Sequence, residues 1–344
     1  MKWRAGARSS RTTASSLTKL KLAILDDYQK LALKSADWER LRRRGVEISV
    51  FHEAFASRDD AAARLAPFDA LVLMRERTPF PGELIGKLPQ LKFIALTGLR
   101  SASLDLAACT TRRIPVSHTN PGRTGAVTAE LAFLLILAAA RDYAKAERGM
   151  RAGGWHEGLR GGTILEGRRL GIVGLGKLGG RVAGYAKAFG MDVVAWSQNL
   201  TAERAAQAGA VAVGKEELLK TSDFVTIHLV LSDRTRNLID APDLALMKPG
   251  AVLVNTSRGP IVNEAAMLAA LASGRLAHAA LDVFDQEPLP KDHPLRSMDN
   301  VTLCPHLGYV SEDVYRSFWG DSIESVEAWL DGKPVRLLNP EALK

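Results

Sequence analysis

The sequence predicts an α/β protein built from two doubly wound, parallel-sheet domains. A chain of 344 residues exceeds what one hydrophobic core ordinarily organises. Short apolar runs alternate with amphipathic stretches along most of its length, the pattern of strands covered on both faces by helices. Asn120-Pro121-Gly122 interrupts that alternation with a turn cluster suited to a domain boundary.

In the first series, strands are predicted over 21–25, 46–51, 69–74 and 92–96, with helices over 36–44, 60–66 and 82–88. The second opens on one long helix over about 125–146. Strands over 169–173, 192–196, 224–228, 251–255, 279–283 and 301–304 follow, with helices over 177–189, 201–208 and 263–273. An amphipathic helix over 311–330 is expected to pack back on the first domain. The expected organisation is a disordered basic arm over 1–19, one domain made of 20–119 and 309–344, and a second over 120–308.

Composition narrows the class. Hydrophobic content of 47% and charged content of 24% are those of a globular chain. Cys109 and Cys304 make no C-x-x-C pair and no disulfide framework, so a reducing compartment, the cytoplasm, is expected. The formal charge is +8, but Lys2, Arg4, Arg8, Arg11 and Lys19 carry five of those charges ahead of the first acid, Asp26. What remains does not call for a nucleic-acid partner. The arm, rich in Arg, Ser, Thr and Ala, also has the composition of an organellar transit peptide, which stays as the alternative. The most apolar run, Leu131 to Ala140, is too short to span a bilayer, which takes about 20 residues. It is expected to be buried between layers or subunits, with no membrane partner.

Gly174-Leu175-Gly176-Lys177-Leu178-Gly179 is a G-x-G-x-x-G that follows an apolar strand and opens an amphipathic helix. In that setting Gly174 permits a tight turn, Gly176 lets backbone approach a pyrophosphate, and Gly179 lets helix and strand pack closely. Amides at the helix start, with the positive end of its dipole, suit phosphate groups. This is the fingerprint of a Rossmann domain. The next strand should end in the residue that reads the adenosine ribose: an acid favours NAD, a basic residue NADP. It ends Trp196-Ser197-Gln198-Asn199, with neither, so both cofactors stay open.

Three later segments each place polar side chains just after an apolar strand, at the sheet edge where ligands bind in this architecture. They are Asn255-Thr256-Ser257-Arg258-Gly259-Pro260, Leu281-Asp282 through Glu287-Pro288, and Cys304-Pro305-His306-Leu307-Gly308. Together with the fingerprint, in that order, these segments resemble the D-isomer-specific 2-hydroxyacid dehydrogenases, which include glyoxylate/hydroxypyruvate reductases and D-3-phosphoglycerate dehydrogenases. The resemblance runs from about residue 20 to Asn339-Pro340-Glu341. It implies a flavodoxin-like substrate-binding domain beside the Rossmann domain, hydride transfer between NAD or NADP and a small 2-oxo or 2-hydroxy acid, and Arg258, Glu287 and His306 as the catalytic set.

The chemistry of those residue types agrees. Arginine's planar fork can hold a carboxylate and lie near the adjacent carbonyl oxygen without losing its charge. Histidine can donate a proton to a developing alkoxide and take it back in reverse. A carboxylate against the imidazole favours its protonated form and fixes its orientation. Singly, each also has a plain structural explanation: an ion pair, a surface acid before a proline turn, a core histidine. The resemblance further implies that Asp282 binds the nicotinamide carboxamide (a helix cap being the alternative) and that Thr256, His228 and Leu229 border the cofactor. It assigns Arg75, Gly98 and Leu99 to substrate binding, with closure of the domains bringing them to the substrate. Trp155 is expected as a buried packing residue or a lining of the cleft. The seven histidines show no metal-ligand spacing, and no metal is expected, since arginine already supplies an electrophile. The apolar helix over 125–141 is a candidate twofold contact in a homodimer. No regulatory module is expected after the Asn339-Pro340-Glu341 segment, unlike the longer phosphoglycerate dehydrogenases. A dinucleotide-sensing interaction protein of the same fold is the rival function; such a protein need not keep all three catalytic residues.

Overall fold

A computed structural model describes residues 19–344; the rest of the expected basic arm lies outside the described residues. The chain divides into two compact units, one of Met1–Asn120 with Trp319–Lys344 and one of Pro121–Phe318. It crosses between them at Asn120 and again inside the last helix, Glu312–Leu330, the return beginning at Trp319 and not at the 309 expected from sequence.

In the first unit five strands pair in parallel: β1 (Leu20–Ile24), β2 (Val46–Val50), β3 (Ala70–Leu73), β4 (Phe93–Leu96) and β5 (Val116–His118). Their order, β2-β1-β3-β4-β5, is the flavodoxin-like one. Every residue of β3 and β4 is buried, which is why both read as unbroken apolar runs. The second unit has seven parallel strands: β6 (Arg169–Val173), β7 (Asp192–Trp196), β8 (Val211–Ala212), β9 (Phe224–Ile227), β10 (Val252–Asn255), β11 (His278–Leu281) and β12 (Val301–Leu303). Their order is β12-β11-β10-β9-β6-β7-β8. The chain starts in the middle at β6, winds outward to β8, then returns to β9 and winds the other way. That reversal puts a crevice at the carboxyl ends of β6 and β9, the place where dinucleotides bind in this architecture.

Several local expectations needed revision. The single helix expected over 125–146 is two, Thr124–Ala140 and Tyr143–Arg151, bent by 70°. Asp142 breaks it by adopting a left-handed conformation, with φ of 53°, at a cost of about 1–2 kcal/mol for a residue with a Cβ. The break is held by Arg160, whose amide and Nη2 both donate to the buried Asp142 carboxylate at 3.2 Å. The helix expected over 36–44 is shortened to Glu39–Arg43, and a separate turn of helix, Ala32–Ser35, precedes it. Ala36 is extended, and the buried Trp38 indole donates to the Ala32 carbonyl at 2.8 Å. β5, β8 and the helices Leu106–Thr111, Lys215–Thr221 and Ala241–Leu246 had no counterpart in the sequence reading; each is too short to show a period. Among the described residues no single helix is long and apolar enough to cross a membrane.

The C-terminal segment is tied into the first unit by one buried side chain. Asn339 accepts from the Val116 amide at 2.8 Å and donates to the Ile114 carbonyl at 3.0 Å and the Thr110 hydroxyl at 3.1 Å. Truncation would leave a buried amide and carbonyl unsatisfied, at about 1–3 kcal/mol each. Asn339→Ala is therefore expected to lower unfolding free energy by about 2–4 kcal/mol, read as a shift in the urea midpoint; a midpoint within experimental scatter of wild type would show that water replaces these bonds.

Candidate active site

In the second unit two glycines, Gly174 and Gly259, let neighbouring loops meet backbone to backbone. Gly174, with φ of 104°, lies so close to the loop after β9 that a Cβ would sit 2.5 Å from the His228 carbonyl oxygen. Gly179 stands where a Cβ would overlap the Gly174 carbonyl, which sets the helix Lys177–Ala188 tight against the end of β6. A Cβ on Gly176, by contrast, would meet nothing within 4 Å. Protein packing does not demand glycine there, and the backbone is left open to close approach. Lys177 begins the helix at the surface, and Leu178 packs partly into the core.

Two buried polar atoms near this crevice lack partners within the protein, the Thr256 hydroxyl and Nδ1 of His228. Such groups are costly unless a ligand or water meets them. His228 is kept neutral, its pKa pushed down to about 3 by burial, with Nε2 3.1 Å from the Thr226 hydroxyl. Ser197, at the end of β7, accepts from the Leu175 amide at 2.9 Å and so steadies the glycine turn from the position where a ribose-reading acid would stand. An open Gly176 cradle and orphaned donors and acceptors on the β9 and β10 loops fit a dinucleotide.

Arg258 is set by its own turn. Asn255, buried at the end of β10, accepts from the Ser257 amide at 3.0 Å and donates to the Arg258 carbonyl at 2.9 Å. The Ser257 hydroxyl donates to the Ile227 carbonyl of β9 at 2.7 Å. Gly259 then lies flat on the next loop, where a Cβ would overlap the Phe284 carbonyl. That contact fastens the arginine turn to the loop carrying Glu287.

Glu287 is held at both oxygens. Oε1 accepts from the Phe284 amide at 2.9 Å, and Oε2 lies 2.5 Å from Nδ1 of His306. Burial raises its pKa, but the His306 hydrogen bond and charge, the Phe284 amide and the Arg258 charge outweigh burial and leave it below the usual carboxylate value. The three residues therefore share one electrostatic neighbourhood. His306 itself has a left-handed backbone, φ 55°, and its ring packs edge-on against Tyr309, 5.8 Å between centroids.

Asp282 sits beneath this turn, fully buried, accepting from the Leu307 amide at 2.7 Å and the Gly308 amide at 2.8 Å. Burial pushes its pKa up despite those amides and the His306 charge. Both carboxylate oxygens are thus engaged by the turn that presents His306, a bracing job that the sequence did not disclose. Thr128 supports the same turn, its hydroxyl 2.5 Å from the Gly308 carbonyl. Burial, then the Asp282 charge, pushes the Cys304 thiol up to about 12, which disfavours the thiolate. Among the described residues no cluster of His, Cys, Asp and Glu could hold a metal ion.

In the first unit the residues assigned to substrate lie at the carboxyl edge of that sheet. Arg75, with φ of 54°, donates its amide to the Thr97 hydroxyl at 2.9 Å, and its guanidinium lies directly against Gly98. Gly98 has φ of 88° and donates to the Thr119 hydroxyl at 2.7 Å; Leu99 is 50% exposed. Trp155 is neither buried nor packed in a core. It is 66% exposed and stacked on His156, because the Gly153-Gly154 turn carries it out of the fold.

Asn255, Thr128, Tyr309 and the Phe284 amide were not anticipated. Only Asn255 left a trace: asparagine two residues before serine, after a strand, is the pattern of a side chain closing its own turn.

A sheet of this order, with a glycine cradle at its switch point and Arg258, Glu287 and His306 gathered on neighbouring strand ends, defines a dinucleotide-dependent oxidoreductase. The family model for the D-isomer specific 2-hydroxyacid dehydrogenase, NAD binding domain, matches residues 133–308. A glyoxylate reductase of Aeropyrum pernix is 39% identical over 76% of this chain and 80% of its own length. A D-3-phosphoglycerate dehydrogenase of Archaeoglobus fulgidus is 35% identical over 86% of this chain and 55% of its own length. A crystal structure of an oxidoreductase from Ralstonia solanacearum superposes with a TM-score of 0.88 and 38% identity, covering 94% of this chain and 98% of that one. The chain belongs to the D-isomer specific 2-hydroxyacid dehydrogenases, oxidoreductases that act on a CH–OH group with NAD(P).

Glu287 yields a pH test of the site. Its folded pKa is lowered, so its contacts stabilise the fold above the unfolded carboxylate value and are lost as pH falls through the lowered one. Glu287→Gln is expected to lower the melting temperature near neutral pH by an amount matching about 1 kcal/mol, with the gap to wild type closing as pH falls below the usual carboxylate value. A gap that stays constant across that range would show that the carboxylate charge contributes nothing.

Proposed function

We propose that this dehydrogenase reduces a small 2-oxo acid, with glyoxylate and hydroxypyruvate as first candidates, to the D-2-hydroxy acid. The carrying observation is the His306–Glu287 contact: Nδ1 is committed to the carboxylate, so Nε2 is the nitrogen left to move a proton. Glu287 holds the plane of the imidazole. Arg258 grips the substrate carboxylate and polarises the neighbouring carbonyl. When bound, the nicotinamide supplies the hydride. Gly174, Gly176, Lys177, Leu178 and Gly179 would hold the pyrophosphate, Ser197 would meet the adenosine ribose, and His228, Leu229, Thr256 and Asp282 would border the nicotinamide end. Arg75, Gly98 and Leu99 would bind substrate. The Aeropyrum relative, named a glyoxylate reductase, supports the choice of first substrate.

The chain is proposed to act as a cytoplasmic homodimer, with no membrane or nucleic-acid partner. Supporting the dimer, Leu134 on the Thr124–Ala140 helix is exposed, as are Ile164 and Phe189, which line one groove with Leu137 of that helix. Light scattering after size exclusion is expected to give twice the chain mass; a monomer at micromolar concentration would refute it.

Oxidation of NADH and NADPH, followed by loss of the reduced nicotinamide absorbance, over glyoxylate, hydroxypyruvate and phenylpyruvate tests the reaction. Wild type is expected to turn over at least one of these acids. His306→Ala is expected to retain cofactor binding while reduction falls on the order of 10²–10⁴-fold. Arg258→Lys is expected to raise KM and slow turnover together, since an ammonium cannot reproduce the fork. Wild-type kinetics in either variant would remove that residue from the chemistry, and cofactor binding without oxidation on any acid would favour a sensor.

A further inference from the structure

The Asp26-Asp27 pair that follows β1 plays no part in the chemistry above, yet both carboxylates are buried at the carboxyl edge of the first unit's sheet. Asp27 accepts from the Leu31 amide at 2.9 Å and the Ala32 amide at 3.1 Å, and its carbonyl meets Nδ1 of His52 at 3.0 Å, so it joins the ends of β1 and β2. Asp26 turns the other way, towards the loop after β3. Its Oδ1 accepts from the Thr78 hydroxyl at 3.0 Å and the Tyr28 hydroxyl at 3.2 Å, and its carbonyl accepts from Nη1 of Arg77 at 2.5 Å. The Arg77 guanidinium covers the Tyr28 ring, 4.6 Å from its centroid.

These contacts hold Arg77 and Thr78, two and three residues after Arg75, which has a left-handed backbone and lays its guanidinium on Gly98. Asp26 is itself left-handed, with φ of 58°. Two strained residues on adjacent loops persist only where surrounding bonds over-determine them. At Arg75 the Thr97 hydroxyl takes the amide, and two and three residues on Asp26 takes Nη1 of Arg77 and the Thr78 hydroxyl. A loop held at Thr78 by the Asp26 carboxylate, and at Arg77 by the Asp26 carbonyl and a cation–π contact with Tyr28, has little freedom left at Arg75.

We propose that Asp26 is a positioning residue for substrate binding: through Thr78, Tyr28 and Arg77 it fixes the loop that presents Arg75, and so sets affinity for the 2-oxo acid without touching it. This rests on the assignment of Arg75 to substrate made above. Burial raises the Asp26 pKa, and the two hydroxyls and the Arg77 charge oppose that rise, so the carboxylate and its loop partners are matched to each other.

The test is steady-state reduction of glyoxylate and hydroxypyruvate, with NADH binding followed separately by fluorescence. Asp26→Asn is expected to raise KM about tenfold, leave kcat within about threefold, and leave NADH affinity unchanged. Thr78→Val, which removes one donor from a half-exposed position, is expected to raise KM in the same direction, and Thr78→Ser to restore it. A merely structural role would lower stability without that split between KM and kcat and without rescue by serine. Arg75→Met serves as the control for the underlying assignment. Raised KM in Arg75→Met with wild-type KM in Asp26→Asn and Thr78→Val overturns the inference alone. Wild-type KM in all three overturns the assignment of Arg75 and the inference with it. Should Asp26→Asn not fold, Thr78→Val and Thr78→Ser decide the matter by themselves.

Discussion

Backbone meeting backbone without a Cβ between them is the constraint on which the catalytic unit depends. The β6 loop reaches the β9 loop at Gly174, and the β10 loop reaches the β11 loop at Gly259. Any side chain at either place would push neighbouring loops apart, because main chain cannot move aside as the end of a long side chain can. Reactive groups drawn from β10, β11 and the segment after β12 can share one electrostatic neighbourhood only if those loops are in contact. Glycine in these segments is thus as much a part of the site as the charged residues it separates.

Bracing by buried carboxylates is the second shared device. Asp282 holds the His306 turn through the Leu307 and Gly308 amides, and Asp26 holds the Arg75 loop through Thr78 and Tyr28. In both, burial raises the pKa and hydrogen bonds oppose the rise. In both, the residue presented has a left-handed backbone despite carrying a Cβ. A left-handed residue aims its side chain where an extended strand would not, and a charged acceptor gives the strong bonds needed to keep it there.

The large features were legible from sequence because they obey periodic rules. Fully buried parallel strands such as β3, β4, β9, β10 and β11 show as apolar runs, and the fingerprint showed as glycines at fixed offsets. Arg258, Glu287 and His306 stood out because each follows such a strand. What escaped was set by tertiary contact. No pattern at Asp142 announces that Arg160 will stabilise a left-handed break, and propensity alone favours continuing the helix. β8, of two residues, has no period to detect. Asp282 was noticed for its place, but its engagement by two amides depends on how the 306–308 turn folds over it. Trp155 was expected inside on hydrophobicity, whereas the glycines beside it carry it to the surface.

Four of the five histidines in the catalytic unit, His156 being stacked on the exposed Trp155, show why geometry selects one. His228 and His278 are driven down by burial, to about 3 and about 4, and stay neutral. His278 is further engaged by Arg160 at Nδ1 and by the Thr302 hydroxyl at Nε2, so both nitrogens serve the fold. His293 faces Glu264 at 3.1 Å, but its other nitrogen accepts from the Leu295 amide and caps a turn, again using both. His306 differs in kind. It gives one nitrogen to a carboxylate that is itself fixed by the Phe284 amide, and its ring is oriented by Tyr309 and by a turn clamped from below. Proton transfer needs a base whose orientation is fixed on one side and whose second nitrogen is not consumed by structure. Within this unit that combination of partners belongs to the residue after Pro305, at the strand end where the fold's crevice opens.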